Sequence, residues 1–364
     1  MDSSRKTRIG IVTGGGDCPG LNAVIRAVAK AAGRRGWEAI GVLGGFEGLL
    51  EPRQYRSLEY RELGGLLNRG GTILGTSNRG RFTAKVGHGE TQGLPADLLD
   101  ESKRGFEALG LHALLAIGGD GSLSIAQQLF THGIPLVAVP KTIDNDLAAT
   151  VITFGFDSAV ACATDAIDRL HTTAESHQRV MVLEVMGRYA GWIAIYAGIA
   201  GGADVILIPE IPFRYERVCA RIAEREAAGR HFSIVVVAEG ARPDGGEFVT
   251  SADQPADREA RLGGIGAQVA AEIERRTGKE TRSMVLGHLQ RGGPPTNFDR
   301  ALCTLFGTTA VELIADGRFG RMVTYTGATL DSVPIAEAVG QLKRVPPAGA
   351  FVRGARALGI ALGD

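Results

Sequence analysis

Three clusters of residues, two of them glycine turns, set carboxylate or hydroxyl groups at the ends of apolar runs, and together they suit phosphate chemistry. Gly14-Gly15-Gly16-Asp17 follows the apolar run RIGIVT (8–13) and precedes a helical pattern. Successive backbone N–H groups at a helix N-terminus form an anion site, and glycine lets a ligand come close to the backbone. A plain strand-to-helix turn is the alternative. The segment is not a GxxxxGK[ST] loop, because the lysine and hydroxyl are absent. Gly118-Gly119-Asp120-Gly121-Ser122 repeats the arrangement with a carboxylate inside the turn. Magnesium takes one or two carboxylates plus phosphate oxygens, so Asp120 suits a magnesium ligand, with a helix cap as the alternative.

The third cluster, Thr142-Ile143-Asp144-Asn145-Asp146, sets two carboxylates two residues apart directly after a strand-like run, with Lys141 adjoining. Phosphoryl transfer to an alcohol needs a base for the hydroxyl proton and cations for the phosphoryl oxygens. A pair of acids can serve the hydroxyl and the metal. A turn rich in Asp and Asn with no chemistry is the alternative. Basic groups stand at other strand ends: His177-Gln178-Arg179, Met186-Gly187-Arg188, and Arg282 with His288 and Arg291. Arginine forks match phosphate oxygens bidentately, so the set points to a phosphorylated substrate.

The elements that must position these residues read as strand, glycine turn and helix, repeated. Strands are expected at 8–13, 37–43, 113–117, 135–139, 180–185, 204–208, 233–238 and 284–287, with helices from about 21 to 35, through 130, over 158–173 and from 192. Apolar runs of four to eight residues alternating with helices indicate parallel sheets covered on both faces. Ligands of such sheets sit outside the carboxyl ends of the strands. The segment 242–261 is polar and aperiodic and is expected to be an exposed loop.

Composition bounds the remaining possibilities. The chain has 364 residues, with 40 Lys+Arg against 40 Asp+Glu. Zero formal charge argues against a general nucleic-acid or membrane-surface role. No apolar run approaches the length of a membrane span, and Cys18, Cys162, Cys219 and Cys303 are too far apart for a CxxC site. Reduced thiols and a cytoplasmic location are expected. The 52 glycines are about twice the usual ~7% and gather at strand ends rather than in low-complexity tracts.

GGGDCPGLNAVIR (14–26), NRGGTILGTS (68–77), GGDGS (118–122), PKTIDND (140–146), SHQR (176–179), EVMGRYAGW (184–192), AEG (238–240) and TRSMVLGHLQRGGPP (281–295) occur in the order of the phosphofructokinase family, which the chain resembles over about residues 8–300. The resemblance implies two Rossmann-like three-layer α/β domains with mainly parallel sheets and an active site in the cleft between them. The donor domain would cover 1–154 plus about 289–339. The fructose 6-phosphate domain would cover 155–288 plus about 340–364. The implied reaction is magnesium-dependent phosphorylation of the sugar 1-hydroxyl, the committed step of glycolysis.

The resemblance also assigns roles. Asp144 is the implied base, and Thr142 and Arg188 contact the transferring phosphoryl group. Asp120 holds Mg²⁺, with Asp146 nearby. Gly15, Gly16, Gly119, Gly121, Ser122 and Lys141 attend the donor phosphates, joined by Arg79. Met186, Gly187 and Glu239 meet the sugar, while Arg179, Arg282, His288 and Arg291 bind the substrate and its 6-phosphate. Arg179 and Arg282 would come from a neighbouring subunit, so a homo-oligomer, dimer or tetramer, is implied.

The family includes ATP- and pyrophosphate-dependent members. Gly121 leaves room for a nucleotide α-phosphate and favours ATP. Lys141 is found in the pyrophosphate enzymes, yet the glycine-plus-lysine combination is similar to an ATP-dependent branch, so ATP is expected and pyrophosphate is the alternative. Two departures stand out: Arg79 lies one place later than in the bacterial pattern, and His171 and Gly229-Arg230-His231 replace basic residues of the bacterial effector site. Weak or altered regulation by ADP and phosphoenolpyruvate follows from the second. The PKTIDND, MGR and GHLQRGG segments speak against an NAD- or lipid-kinase relative, and the presence of both Asp120 and Asp144 speaks against a catalytically silent sensor.

Overall fold

The first strand, β1 (Arg8–Thr13), is buried beyond its first residue because parallel neighbours and helices cover it on all sides. The structure is a computed structural model that describes residues 6–77, 80–82, 93–250 and 262–364. After β1 come α1 (Leu21–Arg34), β2 (Glu38–Val42), β3 (Tyr55–Ser57), α2 (Ala96–Ala108), β4 (Ala113–Gly118), α3 (Asp120–Thr131) and β5 (Leu136–Pro140). The long helix α4 (Phe156–His177) leads to β6 (Val180–Val185), α5 (Trp192–Ala200), β7 (Val205–Leu207), α6 (Tyr215–Ala227), β8 (Ser233–Ala238), α7 (Ile265–Thr277) and β9 (Thr281–Val285). The chain closes with α8 (Asn297–Ala315), β10 (Arg321–Tyr325), β11 (Leu330–Pro334), α9 (Ile335–Ala338) and α10 (Ala350–Ala357).

Two compact units emerge, one of Met1–Ile143, Leu147–Ser158 and Arg291–Gln341, the other of Asp144–Asp146, Ala159–Gln290 and Leu342–Asp364. The first unit holds a seven-stranded sheet in the order β11-β10-β5-β4-β1-β2-β3. Its outer pairs β10–β11 and β2–β3 are antiparallel, and the strands between are parallel. The chain leaves β1 toward β2 on one side and returns as β4 on the other, so β1 and β4 flank a topological switch point. Sheets of this kind open a ligand crevice at the carboxyl ends there. Val12, Leu114, Ala116 and Ala138 of the strands pack with Leu123, Ala126 and Leu129 of α3 in a fully buried core. On another face α1 crosses α8 closely, because Gly307 presents no side chain to Ala27 and the carbonyl of Val24.

The second unit holds a four-stranded parallel sheet, β7-β8-β6-β9, with Val182, Val205, Val235 and Val237 packed on Ile222 of α6 and Val269 and Ile273 of α7. The expected strands at 8–13, 180–185 and 233–238 agree to the residue. The last expected strand does not: β9 starts at Thr281, and Gly287 opens a 3-10 turn, Gly287–Arg291. Arg282 to Val285 are all exposed on an edge strand, and Thr281, Arg282 and Ser283 are polar, so β9 gives no apolar run. Within the polar segment after Arg242, Pro243 bridges to Phe213 and Thr250 to Leu262, while 251–261 lie outside the described residues.

Candidate active site

In the first unit the two glycine turns leave the carboxyl ends of β1 and β4, and Lys141-Thr142-Ile143 leaves that of β5 before the chain passes into the second unit at Asp144–Asp146. Backbone bonds fix their heights: Gly14 N–H donates to the Ile117 carbonyl (2.9 Å), and Lys141 N–H to that of Gly118 (2.9 Å). Gly15 has φ 75°, a left-handed conformation that glycine adopts without penalty. At Gly14 a Cβ would lie 2.5 Å from Ser122 Oγ, so only glycine lets the first turn seat against the second. Gly119 caps α3, and Asp120, Gly121 and Ser122 form its first turn, where backbone N–H groups lack helical partners and carry the positive end of the helix dipole. Asp120 is half-buried and accepts from Gly340 N–H (3.2 Å).

Lys141 is buried, and its ammonium donates to the Gly16 carbonyl at 2.6 Å. Arg291 joins the same turn, donating from Nη1 to the Asp17 carbonyl (3.2 Å), with a Cβ at Gly16 only 2.9 Å from that nitrogen. The structure thus brings Gly15, Gly16, Lys141, Ser122 and Arg291 together at one glycine turn. The segment 72–77 is laced alongside by Thr76 Oγ1 to the Gly15 carbonyl and Thr13 Oγ1 to the Gly75 carbonyl, both 2.6 Å. Arg79 lies outside the described residues. The residue that shapes this loop, Asn22, was not singled out from the sequence. It is fully buried on α1, donates to the Arg69 and Gly70 carbonyls and accepts from Ile73 N–H. A buried-facing asparagine in an otherwise apolar helix stripe is the signal that could have found it.

After β5 the burial alternates: Lys141, Ile143, Asn145 and Leu147 are buried, whereas Thr142, Asp144 and Asp146 are half-buried. The alternation leaves Thr142, Asp144 and Asp146 partly exposed. Asn145 takes a left-handed φ of 50°, which asparagine tolerates better than most residues. The Thr142 carbonyl is held by Thr153 Oγ1 (2.7 Å).

In the second unit Met186-Gly187-Arg188, Glu239 and His288 follow the carboxyl ends of β6, β8 and β9. Glu239 N–H donates to the Val185 carbonyl (2.9 Å) and Gly240 N–H to Gly187 (3.1 Å). Gly187 has φ 140°. The Arg188 guanidinium lies 5.8 Å from the centre of the Tyr189 ring. Gln290, fully buried and unremarked in the sequence, accepts from Met186 N–H (3.3 Å) and donates to the Gly287 carbonyl (3.0 Å).

Arg179 and Arg282 do not join this group. They stand at the amino ends of β6 and β9, where both reach Glu280, at 3.1 and 2.6 Å. Six residues of strand, about 20 Å at ~3.3 Å per residue, separate them from Met186. The basic groups read at strand ends therefore divide, with these two at amino ends and Arg188 and His288 beyond carboxyl ends. Of the positions tied to the effector site, His171 Nε2 contacts the Gly201 carbonyl (2.7 Å) and His231 Nδ1 contacts Glu226 (2.8 Å).

Residues 8–314 match the sequence profile of the Phosphofructokinase family. The chain is 55% identical over 362 residues to the ATP-dependent 6-phosphofructokinase of Chloroflexus aggregans, covering 100% of this chain and 99% of that protein. It is 52% identical to the pyrophosphate–fructose 6-phosphate 1-phosphotransferase of Amycolatopsis methanolica, covering 93% and 96%. Among solved structures, phosphofructokinase from Saccharomyces cerevisiae superposes with a TM-score of 0.78 at 29% identity, over 91% of this chain and 45% of that longer one. On these matches, and on the glycine turns and carboxylates aligned at its strand ends, the chain belongs to the phosphofructokinase family.

Proposed function

We propose that the chain transfers the γ-phosphoryl group of ATP to the 1-hydroxyl of fructose 6-phosphate, giving fructose 1,6-bisphosphate and ADP, the committed step of glycolysis. The observation that carries this reading is end-to-end identity of 55% to an ATP-dependent 6-phosphofructokinase, in a chain that retains both Asp120 and Asp144. The unit with the seven-stranded sheet handles the donor, and the unit with the four-stranded sheet handles the sugar. In the reaction O1 of the sugar attacks the γ-phosphorus, its proton passes to the Asp144 carboxylate, and the bridging oxygen leaves with ADP. Thr142 and Arg188 contact the transferring group, and Asp146 lies beside the base as a substrate contact. Gly15, Gly16, Gly119, Gly121, Ser122 and Lys141 line the donor phosphates, with Arg79 as a further donor contact. Met186, Gly187 and Glu239 meet the sugar.

Asp120 fits a magnesium ion, being a half-buried hard oxygen ligand at the first turn of α3, where phosphate oxygens can complete the set. Magnesium bound there neutralises charge on the donor phosphates. Arg179, Arg282, His288 and Arg291 bind the substrate and its 6-phosphate, Arg179 and Arg282 from a second copy of the chain. Their distance along β6 from Met186 supports a homo-oligomer with shared sites. The exposed edge strand β9, with Met284 and Val285 outward, supports the same reading. No helix among the described residues is long and apolar enough to cross a membrane. The reading places the enzyme in the cytoplasm, where its four free cysteines stay reduced.

Pyrophosphate is the second reading for the donor, favoured by the Lys141 ammonium on the glycine turn and by the Amycolatopsis relative. Gly121 favours ATP. The base assignment is tested by Asp144→Ser with fructose 6-phosphate binding measured separately. Turnover is expected to fall by ~10²–10⁴ while binding persists, since that is the usual value of general-base help. A variant within about tenfold of the wild type would remove Asp144 from the role.

A further inference from the structure

The turn bearing the two carboxylates is tied to a segment near the end of the chain. Lys343 N–H donates to the Asp146 carbonyl (2.8 Å), and Lys343 Nζ donates to Asn145 Oδ1 (2.8 Å). Asn145 is buried in its left-handed conformation, so its side chain is the natural handle by which to hold the flanking aspartates. Lys343 is itself anchored. Its carbonyl accepts from Trp192 Nε1 (2.8 Å), and two residues on, Val345 N–H donates to Glu210 Oε1 (2.8 Å). The same Glu210 carboxylate accepts from Gly191 N–H at 3.1 Å, on the loop that carries Met186 and Arg188. Residues 343–345 therefore form a strap fastened at one end to the carboxylate turn and at the other to the base of α5.

Lys343 is half-buried, and withdrawing a lysine from water is costly unless its charge is used. Burial pulls its pKa down to about 8 even with Asp146 nearby, so the folded chain bears a cost that a methionine of similar length would avoid. The ammonium here answers an asparagine oxygen beside the proposed base.

We propose that Lys343 is a positioning residue that holds the Asp144–Asp146 turn in its working geometry through the side chain of Asn145. The inference rests on the role proposed for Asp144. A turn free to wander by about an ångström is enough to cost ~10²-fold in rate without weakening substrate binding. Lys343→Met in the full chain is therefore expected to lower kcat by ~10–100-fold while KM for fructose 6-phosphate and for ATP stays within about threefold. Hydrogen exchange of the amides in 144–147 should quicken in that variant, while the Gly191 amide, still held by Glu210, keeps its wild-type rate. Lys343→Arg, which keeps a cationic donor, should recover part of kcat.

Asn145→Gly removes the acceptor and keeps the left-handed backbone. It should match Lys343→Met, and the double variant should be no worse than either, because coupled residues are not additive. Exchange at 144–147 unchanged from the wild type, a wild-type kcat, or losses that multiply in the double variant would overturn the proposal. If Lys343→Met fails to fold, Asn145→Gly decides alone: a wild-type kcat there overturns it. A wild-type chain without turnover on fructose 6-phosphate would count against the functional reading instead, and the exchange rates would still decide whether Lys343 orders the turn.

Discussion

A guanidinium that clamps a phosphate binds ground state and transition state alike, so its loss raises KM more than it lowers kcat. Arg179 is such a group in the proposed reading. Arg179→Ala should raise KM for fructose 6-phosphate by ~10–100-fold, the scale of one charge-assisted hydrogen bond, with kcat changed little. Steady-state kinetics check it, and a fall confined to kcat would contradict the clamp. The glycine turns, Asp120 and Asp144 were legible in the sequence because they are contiguous and sit at the ends of apolar runs. Lys343 was not, since 198 residues separate it from Asn145 and its own surroundings have no periodicity. Asn22 and Gln290 act through backbone groups of distant loops, and that partnership has no local pattern. The amino-end placement of Arg179 and Arg282 was hidden for a different reason: strand direction and register decide which end of a sheet a flanking residue occupies.

At the scale of elements, the start of α4 depends on a buried carboxylate from α8. Asp299 Oδ2 accepts from Ser158 N–H (2.9 Å) and Ser158 Oγ (2.6 Å), and Oδ1 from Gly155 N–H (3.1 Å). Desolvation outweighs these bonds and lifts its pKa from 3.8 to about 6. The folded chain therefore holds this proton more tightly than the unfolded chain does. The contribution is fully present below pH 4 and is lost as pH rises through 6. Asp299→Asn should flatten that limb of the Tm-against-pH curve, which scanning calorimetry from pH 4 to 7 can measure. An unchanged slope would show that another group sets it. Parallel strands were easy to read because burial on both faces makes them continuous apolar runs. The start of β9 and the edge strands β3 and β11 were missed because edge strands carry polar or exposed side chains.

For the whole molecule, the proposed sharing of Arg179 and Arg282 between copies makes two impaired variants complementary, one slow in turnover and one with a raised KM, when assayed at fructose 6-phosphate well below that KM. Asp144→Ser and Arg179→Ala chains, dissociated together and reassembled, should form mixed oligomers in which some sites have both residues intact. Recovered activity above either parent is the expected result, and none after verified subunit exchange would contradict shared sites. Oligomer assembly leaves little trace in a single sequence, because an interface has much the same composition as other surface. The choice of donor likewise depends on Gly121 and Lys141, which point in opposite directions, so it calls for a direct measurement. Initial rates of fructose 1,6-bisphosphate formation from fructose 6-phosphate and Mg²⁺, with ATP in one series and pyrophosphate in the other, test the central claim. Turnover with ATP and none with pyrophosphate is predicted. Turnover with pyrophosphate alone would contradict it, showing that the lysine on the glycine turn outweighs the space left by Gly121 and making the enzyme a reversible transferase.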